Sequence, residues 1–409
     1  MECRFCNTNL SDVFVDLGVS PLSNAYIKEK DLQDKENFYP LRPLICSNCF
    51  LVQLPELERA ENIFASDYAY FSSYSDSWLR HAENYTRNMI ERFGFNEKSF
   101  VVEIASNDGY LLQYFKERRV PVLGIEPARN VAEAAIKKGI PTLIKFFNTE
   151  TARELASDGK LADLIVGNNV LAHVPNLNDF VQGMKIALKP EGLITMEFPH
   201  LLRLIEENQF DTIYHEHFSY FSFITVDKVF RAHGLRIFDV DELPTHGGSL
   251  RIYASHEEDA SKEITEKVQE LIDREVRKGF KNMEYYRAFH EKVKETKRNI
   301  LEFFIDAKRE GKTIAGYGAP AKGNTLLNYC GIRTDFIDFT VDRNPHKQGC
   351  YLPGSRIPIY HPDRIKEARP DYVVILPWNL KDEIMDQISY IRQWGGKFVT
   401  LIPEVRIYK

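Results

Sequence analysis

The chain has 409 residues, a formal net charge of −6 and a hydrophobic content of 44%, which is sufficient for two or three domains with apolar cores. The acidic balance argues against tight nucleic-acid binding, because neutralising phosphates requires a basic surface. No apolar run approaches the roughly 20 residues of a membrane helix, and the first residues lack the apolar segment of a signal peptide. We therefore expect a cytoplasmic protein with neither a membrane nor a nucleic-acid partner.

The first feature along the chain is a pair of C-x-x-C sequences. Cys3 and Cys6 form one pair, and Cys46 and Cys49 form the other. Each spacing is typical of a tight turn that directs two thiolates to one point, and four thiolates complete a tetrahedral zinc shell. A redox role would need only one pair, and paired cysteines in a reducing compartment indicate metal sooner than a disulfide. Because four protein ligands close the shell, we predict a structural zinc ion in a domain spanning residues 1–74.

Residues 75–255 form a second predicted domain, in which short β-rich runs alternate with helical patterns. This alternation is typical of a doubly wound α/β sheet. The predicted strands are 100–104, 122–125, 143–147, 162–167 and 193–198, and the clearest helical patterns are 111–115 and 134–138.

Charge and periodicity change again after residue 255. Residues 256–310 are highly charged, contain no proline and carry apolar residues at helical spacing, which predicts one or two long helices. We interpret them as a solvated helical linker between domains. Residues 311–409 return to the α/β alternation and form the last predicted domain. Its predicted strands are 313–317, 336–341, 372–376 and 398–402, and its first helix is expected from Asn324.

The turn after the first strand of the central domain indicates a cofactor that contains adenosine. Small residues in this turn allow the backbone to approach a ligand closely, and Glu126 ends the next strand, where an acid typically binds ribose hydroxyls. The turn lacks the G-x-G-x-x-G pattern of dinucleotide sites. Asp108 would repel a pyrophosphate but suits the amino group of S-adenosylmethionine, which favours that cofactor; an ordinary tight turn is the alternative. The turn residues are Glu103, Ala105, Ser106, Asn107, Asp108 and Gly109.

Segments ordered along nearly the whole chain resemble the bacterial sugar C-methyltransferase family, which acts on deoxysugar nucleotides. They are the two C-x-x-C pairs and residues 67–74, 103–109, 167–174, 197–200, 214–219, 245–251 and 316–324. The resemblance implies an N-terminal zinc-binding module, a central class I, Rossmann-like S-adenosylmethionine methyltransferase domain and a C-terminal Rossmann-like α/β domain. Ala105 departs from the glycine that generic methyltransferases carry at this position.

The same resemblance extends the expected binding sites beyond the turn. Tyr68 and Tyr70 are ambiguous between a lid over the cofactor and a packed aromatic pair. The further residues expected at the cofactor are Tyr68, Pro127, Asn168 and Asn169. Those expected at the substrate are Tyr70, His246, Gly247, Gly248, Ser249, Arg251, Lys322 and Asn324. Alone, the 245–249 stretch would be read as an ordinary hairpin turn.

Carbon methylation sets a chemical requirement on the active site. A C–H bond becomes acidic enough only beside a carbonyl, and a 4-keto sugar makes C3 and C5 available. The enzyme must then supply a base and a donor for the enolate oxygen. The resemblance assigns base-like function to His217, with Tyr214 and Glu216 alongside, and places His173 in the active site. His215 is the better candidate for a packed histidine, and a second metal site on the two histidines is the minor alternative.

The glycine-rich turn at residues 316–323 leaves the function of the last domain open. Lys322 and the glycines could bind phosphate oxygens at a helix N-terminus, although the spacing fits neither dinucleotide nor P-loop patterns. We favour contact with the diphosphate of a nucleotide sugar, carried by a monomer or small homo-oligomer. The alternatives are an NAD(P)-dependent sugar-nucleotide oxidoreductase and a non-catalytic, zinc-stabilised nucleotide-binding protein.

Overall fold

A computed structural model describes residues 1–59 and 70–409. The N-terminal module consists of short strands around the two cysteine turns. Its strands are β1 (Asp12–Val13), β2 (Val19–Ser20), β3 (Ile27–Lys28), β4 (Tyr39–Pro40), β5 (Leu44–Ile45) and β6 (Val52–Gln53). Strand β6 also pairs, antiparallel, with Ser219–Tyr220 (β12). The module is therefore joined by strand pairing to a segment far along the chain.

The central domain is the doubly wound sheet that the sequence predicts. Within the described residues the sheet has the order β13-β14-β11-β10-β7-β8-β9; β7 to β11 run parallel and β14 runs antiparallel to both neighbours. Its strands are β7 (Val101–Ile104), β8 (Val122–Ile125), β9 (Thr142–Leu143), β10 (Ala162–Asn168), β11 (Leu188–Pro199), β13 (Leu235–Leu243) and β14 (Ser249–His256).

The helices of this domain pack on both faces of the sheet. They are α1 (Asp76–Phe93), α2 (Leu112–Glu117), α3 (Arg129–Lys137), α4 (Thr149–Ser157), α5 (Leu177–Ala187), α6 (Leu201–Glu206) and α7 (Phe223–Ala232). The predicted third strand is wrong in its bounds, because only Thr142 and Leu143 pair with β8. The chain leaves the sheet there, and residues up to Phe147 form the connection to α4.

The charged segment forms two helices, α8 (Glu266–Lys278) and α9 (Met283–Arg309). The interpretation as a solvated linker is wrong in one respect, because one face of each helix is buried. Helix α8 contacts β13 and α7 of the central domain. Helix α9 buries an aromatic and aliphatic stripe, and its Phe289 ring stacks 4.9 Å from Phe14 of the N-terminal module. This apolar stripe also packs on the last domain, so burial of apolar area stabilises the arrangement of all three parts.

The last domain has a second parallel sheet. Its order within the described chain is β18-β16-β15-β19-β20-β21, with β21 antiparallel at one edge. Its strands are β15 (Ile314–Tyr317), β16 (Phe339–Val341), β18 (Ile359–Tyr360), β19 (Tyr372–Ile375), β20 (Lys397–Thr400) and β21 (Arg406–Tyr408), and its helices are α10 (Ala321–Cys330), α11 (Arg364–Ala368) and α12 (Lys381–Gln387). Strand β17 (Cys350–Tyr351) pairs instead with β3 of the N-terminal module.

Helix α10 begins at Ala321, three residues before the predicted start. Pro320 precedes it in an extended conformation. Proline is tolerated there because the first turn of a helix does not use its backbone N–H groups. Among the described residues, no helix is long and apolar enough to cross a membrane.

Candidate functional site

The four cysteines form one cluster. Their Sγ atoms all lie within 4.8 Å of one another, and the pairs Cys3–Cys49 and Cys6–Cys46 are both 3.5 Å apart. A tetrahedral zinc site with bonds of about 2.3 Å separates its sulfur ligands by roughly 3.8 Å. The donor set and its spacing therefore fit one zinc ion, which would supply no open coordination position.

The backbone of the two cysteine turns explains this convergence. In the first turn the Asn7 N–H donates to the Cys3 carbonyl, and in the second the Phe50 N–H donates to the Cys46 carbonyl. Asn7 and Phe50 both adopt positive φ, at 57° and 64°. The two turns share one conformation, and an unfavourable φ for a phenylalanine is maintained in the second.

The predicted cofactor turn follows β7 with an alternating left-handed conformation. Ala105, Asn107 and Gly109 have φ values of 57°, 49° and 78°. Positive φ is uncommon outside glycine, and such strain clusters at functional sites. The turn lies at the carboxyl end of the parallel strands, where open α/β sheets bind ligands.

Glu126 closes this turn from the end of β8. One carboxylate oxygen accepts from the Asn107 N–H at 3.0 Å and the other from the Ala128 N–H at 2.8 Å. Burial raises the pKa of Glu126 to about 7, although these two donors oppose the rise. Its neighbour Pro127 is half-buried. The carboxylate retains acceptor capacity beyond these two bonds, because each oxygen has two lone pairs.

Several polar atoms around the turn are buried without a hydrogen-bond partner among the described residues. They are Ser106 Oγ, Asp108 Oδ1 and Asn168 Oδ1. The other Asp108 oxygen, Oδ2, accepts from Lys138 Nζ at 3.1 Å, and burial raises the pKa of Glu103 well above its ordinary value. Buried polar groups are normally paired, so these atoms fit the polar parts of S-adenosylmethionine.

Asn107 connects the turn to the segment that precedes α1. Its side chain accepts from the Ser72 N–H at 2.8 Å and donates to the Tyr70 carbonyl at 3.2 Å. The Tyr70 backbone is thus held against the cofactor turn. Tyr68 lies outside the described residues.

The 214–217 segment forms a compact aromatic and acidic cluster. The His217 ring lies 4.0 Å from the Tyr214 ring and 4.7 Å from the His173 ring, measured between centroids. Glu216 and His217 are buried, and Glu216 accepts from Asn24 Nδ2 at 2.6 Å. All four predicted catalytic residues therefore lie in one place.

His217 has a defined tautomer. Its Nδ1 lies 2.9 Å from the Thr212 carbonyl, and a carbonyl only accepts, so Nδ1 carries the proton and Nε2 holds a lone pair in the neutral ring. Burial, with the charges of His173, His246 and Lys322, lowers the pKa of His217 well below its ordinary value. The imidazole is therefore neutral at neutral pH.

The surrounding groups differ in ionisation. Burial lowers the pKa of His173 to about 4, which a hydrogen bond with the Glu216 backbone partly opposes. Burial raises the pKa of Glu216 to about 7 and raises that of Tyr214 well above its ordinary value, so the phenol keeps its proton. His215 contacts the Pro40 carbonyl at 3.2 Å, in agreement with its interpretation as a packed histidine.

The 245–249 stretch contacts the central domain at Asn169 and lies against Trp378 of the last domain. His246 lies 3.0 Å from Asn169 Nδ2, and Gly247 has a φ of 91°. A Cβ at Gly247 would lie 2.3 Å from the Trp378 ring of the last domain. Ser249 Oγ donates to the Thr245 carbonyl, and Gly248 follows with a φ of 117°.

Arg251 belongs to a buried network that sequence reasoning missed. Its guanidinium donates to Glu197 at 2.6 Å, and the same carboxylate contacts His81 at 2.9 Å and Thr245 at 2.8 Å. Burial raises the pKa of Glu197, but His81 and Arg251 outweigh it and hold the pKa at about 2. Trp78 stacks on His81 and lies 5.2 Å from His246. Trp78 and His81 lie three positions apart on α1, and no sequence motif indicates their role.

Lys322 and Asn324 have different surroundings. Lys322 donates to Asn379 at 2.5 Å, and its ammonium lies 4.4 Å from the Trp378 ring centre; burial lowers its pKa to about 8. Asp211, which sequence reasoning also missed, accepts from Trp378 Nε1 at 2.7 Å. Asn324 is buried and donates to the Ser23 carbonyl at 2.6 Å, so this donor joins two domains.

The glycine-rich turn of the last domain is closed by the protein itself. Asp342 accepts from the Ala319 N–H at 2.7 Å, and a Cβ at Gly318 would lie 2.5 Å from Pro377. Lys347 Nζ lies 3.9 Å from the same carboxylate. The turn lacks the G-x-G-x-x-G spacing of dinucleotide sites.

Fold and site define a zinc-containing, S-adenosylmethionine-dependent methyltransferase. Three family models match the chain: a zinc binding domain over residues 3–64, a methyltransferase domain over 78–240 and a C-methyltransferase C-terminal domain over 244–403. These matches confirm the predicted zinc-binding and methyltransferase classes.

Comparison with individual proteins gives the family. The chain is 36% identical over 406 residues to the C-methyltransferase NovU of Streptomyces niveus, covering 99% of this chain and 96% of that protein. A ubiquinone biosynthesis O-methyltransferase of Bartonella tribocorum is 30% identical over 95 residues, which are 23% of this chain and 38% of that protein. The structure of magnesium protoporphyrin IX methyltransferase from Synechocystis aligns with 44% of this chain and 83% of that chain at 12% identity and a TM-score of 0.35. The chain belongs to the C-methyltransferase family.

Proposed function

We propose that the substrate of this C-methyltransferase is a nucleotide-linked 4-keto-6-deoxy sugar, methylated at a ring carbon beside the ketone. Carbon methylation needs a carbon nucleophile, and a ketone provides one by making its neighbouring C–H bond acidic. The observation that carries the proposal is the tautomer of His217, whose Nδ1–H donates to Thr212. Nε2 is left as a base beside the Tyr214 hydroxyl-bearing ring.

In this proposal each residue of the cluster has one task. His217 Nε2 takes the proton from the carbon beside the ketone, and the neutral Tyr214 hydroxyl donates to the enolate oxygen that forms. Glu216 accepts a hydrogen bond from a sugar hydroxyl and so orients the acidic C–H bond of the sugar toward the base. The Thr212 carbonyl, and not a carboxylate, fixes the imidazole tautomer.

The low pKa of His217 is compatible with this role. It keeps the imidazole unprotonated before the substrate is deprotonated. The negative enolate then lies beside the new imidazolium, and a neighbouring opposite charge favours the protonated form of His217. When bound, S-adenosylmethionine supplies an electrophilic methyl group, and Asp108, Glu126 and the 168–169 pair would hold it.

The two alternative functions have less support. An oxidoreductase that binds a nicotinamide in the last domain is expected to carry a G-x-G-x-x-G turn, which the 316–323 turn is not, and Pro377 packs closely against Gly318 there. A non-catalytic nucleotide-binding protein would not need a buried base with a defined tautomer.

The proposal is tested with S-adenosylmethionine and a panel of 4-keto-6-deoxy sugar nucleotides, with products read by mass spectrometry. His217→Asn keeps a donor for the Thr212 carbonyl but removes the base, so turnover should fall roughly a hundred- to ten-thousand-fold. The hydrogen beside the ketone should also exchange more slowly in heavy water, by a comparable factor. This rate is measured under conditions in which the wild type exchanges that hydrogen.

His233→Asn is the matched control, because His233 makes the same Nδ1–carbonyl bond at the end of α7. It should leave methylation and exchange unchanged. Near-normal exchange in His217→Asn would place the base elsewhere, with His173 and His246 as the next candidates. Methylation of no keto-sugar in the panel would contradict the substrate class.

A further inference from the structure

Asn24 brings the N-terminal module into the active site. Its Nδ2 donates to Glu216 Oε1 at 2.6 Å, across 192 positions of sequence. Glu216 is 3% exposed, and it lies between two of the proposed catalytic residues in sequence. A carboxylate accepts only, so the bond requires the Asn24 amide nitrogen to face Glu216. The N-terminal module, which carries the four cysteines, thus provides a hydrogen-bond donor for an active-site acid.

The loop that carries Asn24 is fixed on both sides by the last domain. Before it, the Ser23 carbonyl accepts from Asn324 Nδ2 at 2.6 Å. After it, the Tyr26 hydroxyl donates to the Ala319 carbonyl at 2.6 Å and lies 3.3 Å from Asn24 Oδ1. Strand β3, which follows, pairs with β17. These contacts restrict the rotation of the Asn24 side chain, so little freedom is lost when it binds Glu216.

The charges around Glu216 come from all three parts of the chain. Lys347 of the last domain acts on it and is itself held by the Ala319 carbonyl at 2.9 Å and Asp342 at 3.9 Å. Tyr26 and Tyr214 are two further titratable groups that respond to the Glu216 charge. Burial raises the pKa of Glu216 to about 7, and Asn24 and Lys347 oppose that rise. Loss of the Asn24 donor therefore shifts Glu216 toward its protonated form at neutral pH.

We propose that Asn24 is a positioning residue for methyl transfer, which holds the Glu216 carboxylate in the orientation that receives the sugar. The N-terminal module thereby contributes to catalysis as well as to folding. This inference rests on the role given to Glu216 under the proposed function. It adds a residue to the reaction that no local motif indicates.

The test compares full-length Asn24→Ala with wild type in methylation of a 4-keto-6-deoxy sugar nucleotide. At pH 7, kcat/KM should fall about tenfold or more, because a hydrogen bond to a charged group is lost. The acid limb of the pH profile should move to higher pH, since the pKa of Glu216 rises without its donor. Asn24→Asp should lower kcat/KM further than Asn24→Ala, because it places a second carboxylate against Glu216. Asn24→Ser should retain more activity than Asn24→Ala.

Structural controls separate this role from folding. Asn9→Ala changes an exposed asparagine of the same module and should leave the pH profile unchanged. Zinc content and S-adenosylmethionine affinity should stay normal in Asn24→Ala. If that variant does not fold, Asn24→Ser provides a weaker version of the comparison, because its shorter side chain holds the donor farther from Glu216 and should displace the acid limb in the same direction by less.

A double-mutant cycle distinguishes failure of this inference from failure of the proposed function. Glu216→Gln should lower kcat/KM, and adding Asn24→Ala to it should cause no further loss. An unchanged pH profile in Asn24→Ala, or a full additional loss in the double variant, would overturn the role of Asn24 while leaving Glu216 in place. Full activity of Glu216→Gln alone would instead overturn the role assigned to Glu216.

Discussion

Glu126 illustrates how one buried side chain can couple ligand binding to pH. Its carboxylate already accepts from the Asn107 and Ala128 N–H groups, and burial raises its pKa to about 7. The ionised form accepts ribose hydroxyls more strongly than the protonated form. Cofactor affinity should therefore increase as the pH rises through about 7.

Glu126→Ala should cost about 1.5–3 kcal/mol of S-adenosylmethionine binding, the range for a hydrogen bond to a charged group. Isothermal titration calorimetry below and above neutral pH measures both the loss and the pH dependence, which the variant should lack. Glu133→Ala, on the exposed side of α3, serves as the control. Unchanged affinity in Glu126→Ala would contradict the assignment.

At the residue scale, local motifs carried the predictions that were made and missed the partners that complete them. The cysteine spacing and the 214–217 segment are contiguous patterns, and their convergence is visible in the structure. Asn24 and Asp211 are single residues far from their partners. An asparagine in a turn looks the same whether or not a distant acid accepts from it, so a single sequence contains no signal for these contacts.

At the element scale, helix α8 contributes one buried carboxylate to its contact with the central domain. Glu275 is 0% exposed and accepts from His200 at 2.7 Å and from the N–H groups of Phe223 and Ile224 at 2.7 and 2.8 Å. It thus satisfies backbone donors at the start of α7, which otherwise have no partner within the helix. The periodicity of residues 256–310 predicted helices correctly. It could not show that Glu275, on the apolar face, accepts three hydrogen bonds from the central domain.

Glu275→Gln should destabilise the protein by about 2–3 kcal/mol, because an amide N–H replaces an acceptor in front of buried donors. The free energy of unfolding, from denaturant titration, measures the effect. Glu270→Gln on the exposed side of the same helix should change it by no more than about 0.5 kcal/mol. Equal stability of the two variants would contradict this contribution of Glu275.

At the scale of the whole molecule, the sequence predicts the fold class of the α/β parts but not the contacts between the parts. The alternation of strands and helices predicts each sheet, because period and turn chemistry are local properties. The pairing of β6 with β12 and of β3 with β17 joins segments far apart in sequence. Two-residue strands have no periodicity to detect, and so the links between the module and both α/β domains emerge only in three dimensions.

These links predict that the metal stabilises more than its own module. Cys46 directly precedes the turn to β6, and β6 pairs with the strand that follows the 214–218 segment.

Cys46→Ser removes one of four zinc ligands. Elemental analysis of the purified variant should therefore find less than the one zinc per chain expected for wild type. Structural zinc contributes directly to folding, so folded yield should fall further than the turnover of the molecules that remain folded. A loss of about 3 kcal/mol would lower Tm by roughly 3–4 °C for a chain of this length that unfolds as one unit. Cys350→Ser changes a half-buried thiol outside the cluster and should leave zinc content, yield and Tm unchanged. Wild-type protein that contains neither zinc nor iron, or a Cys46→Ser variant with wild-type yield and Tm, would contradict a structural metal at this position.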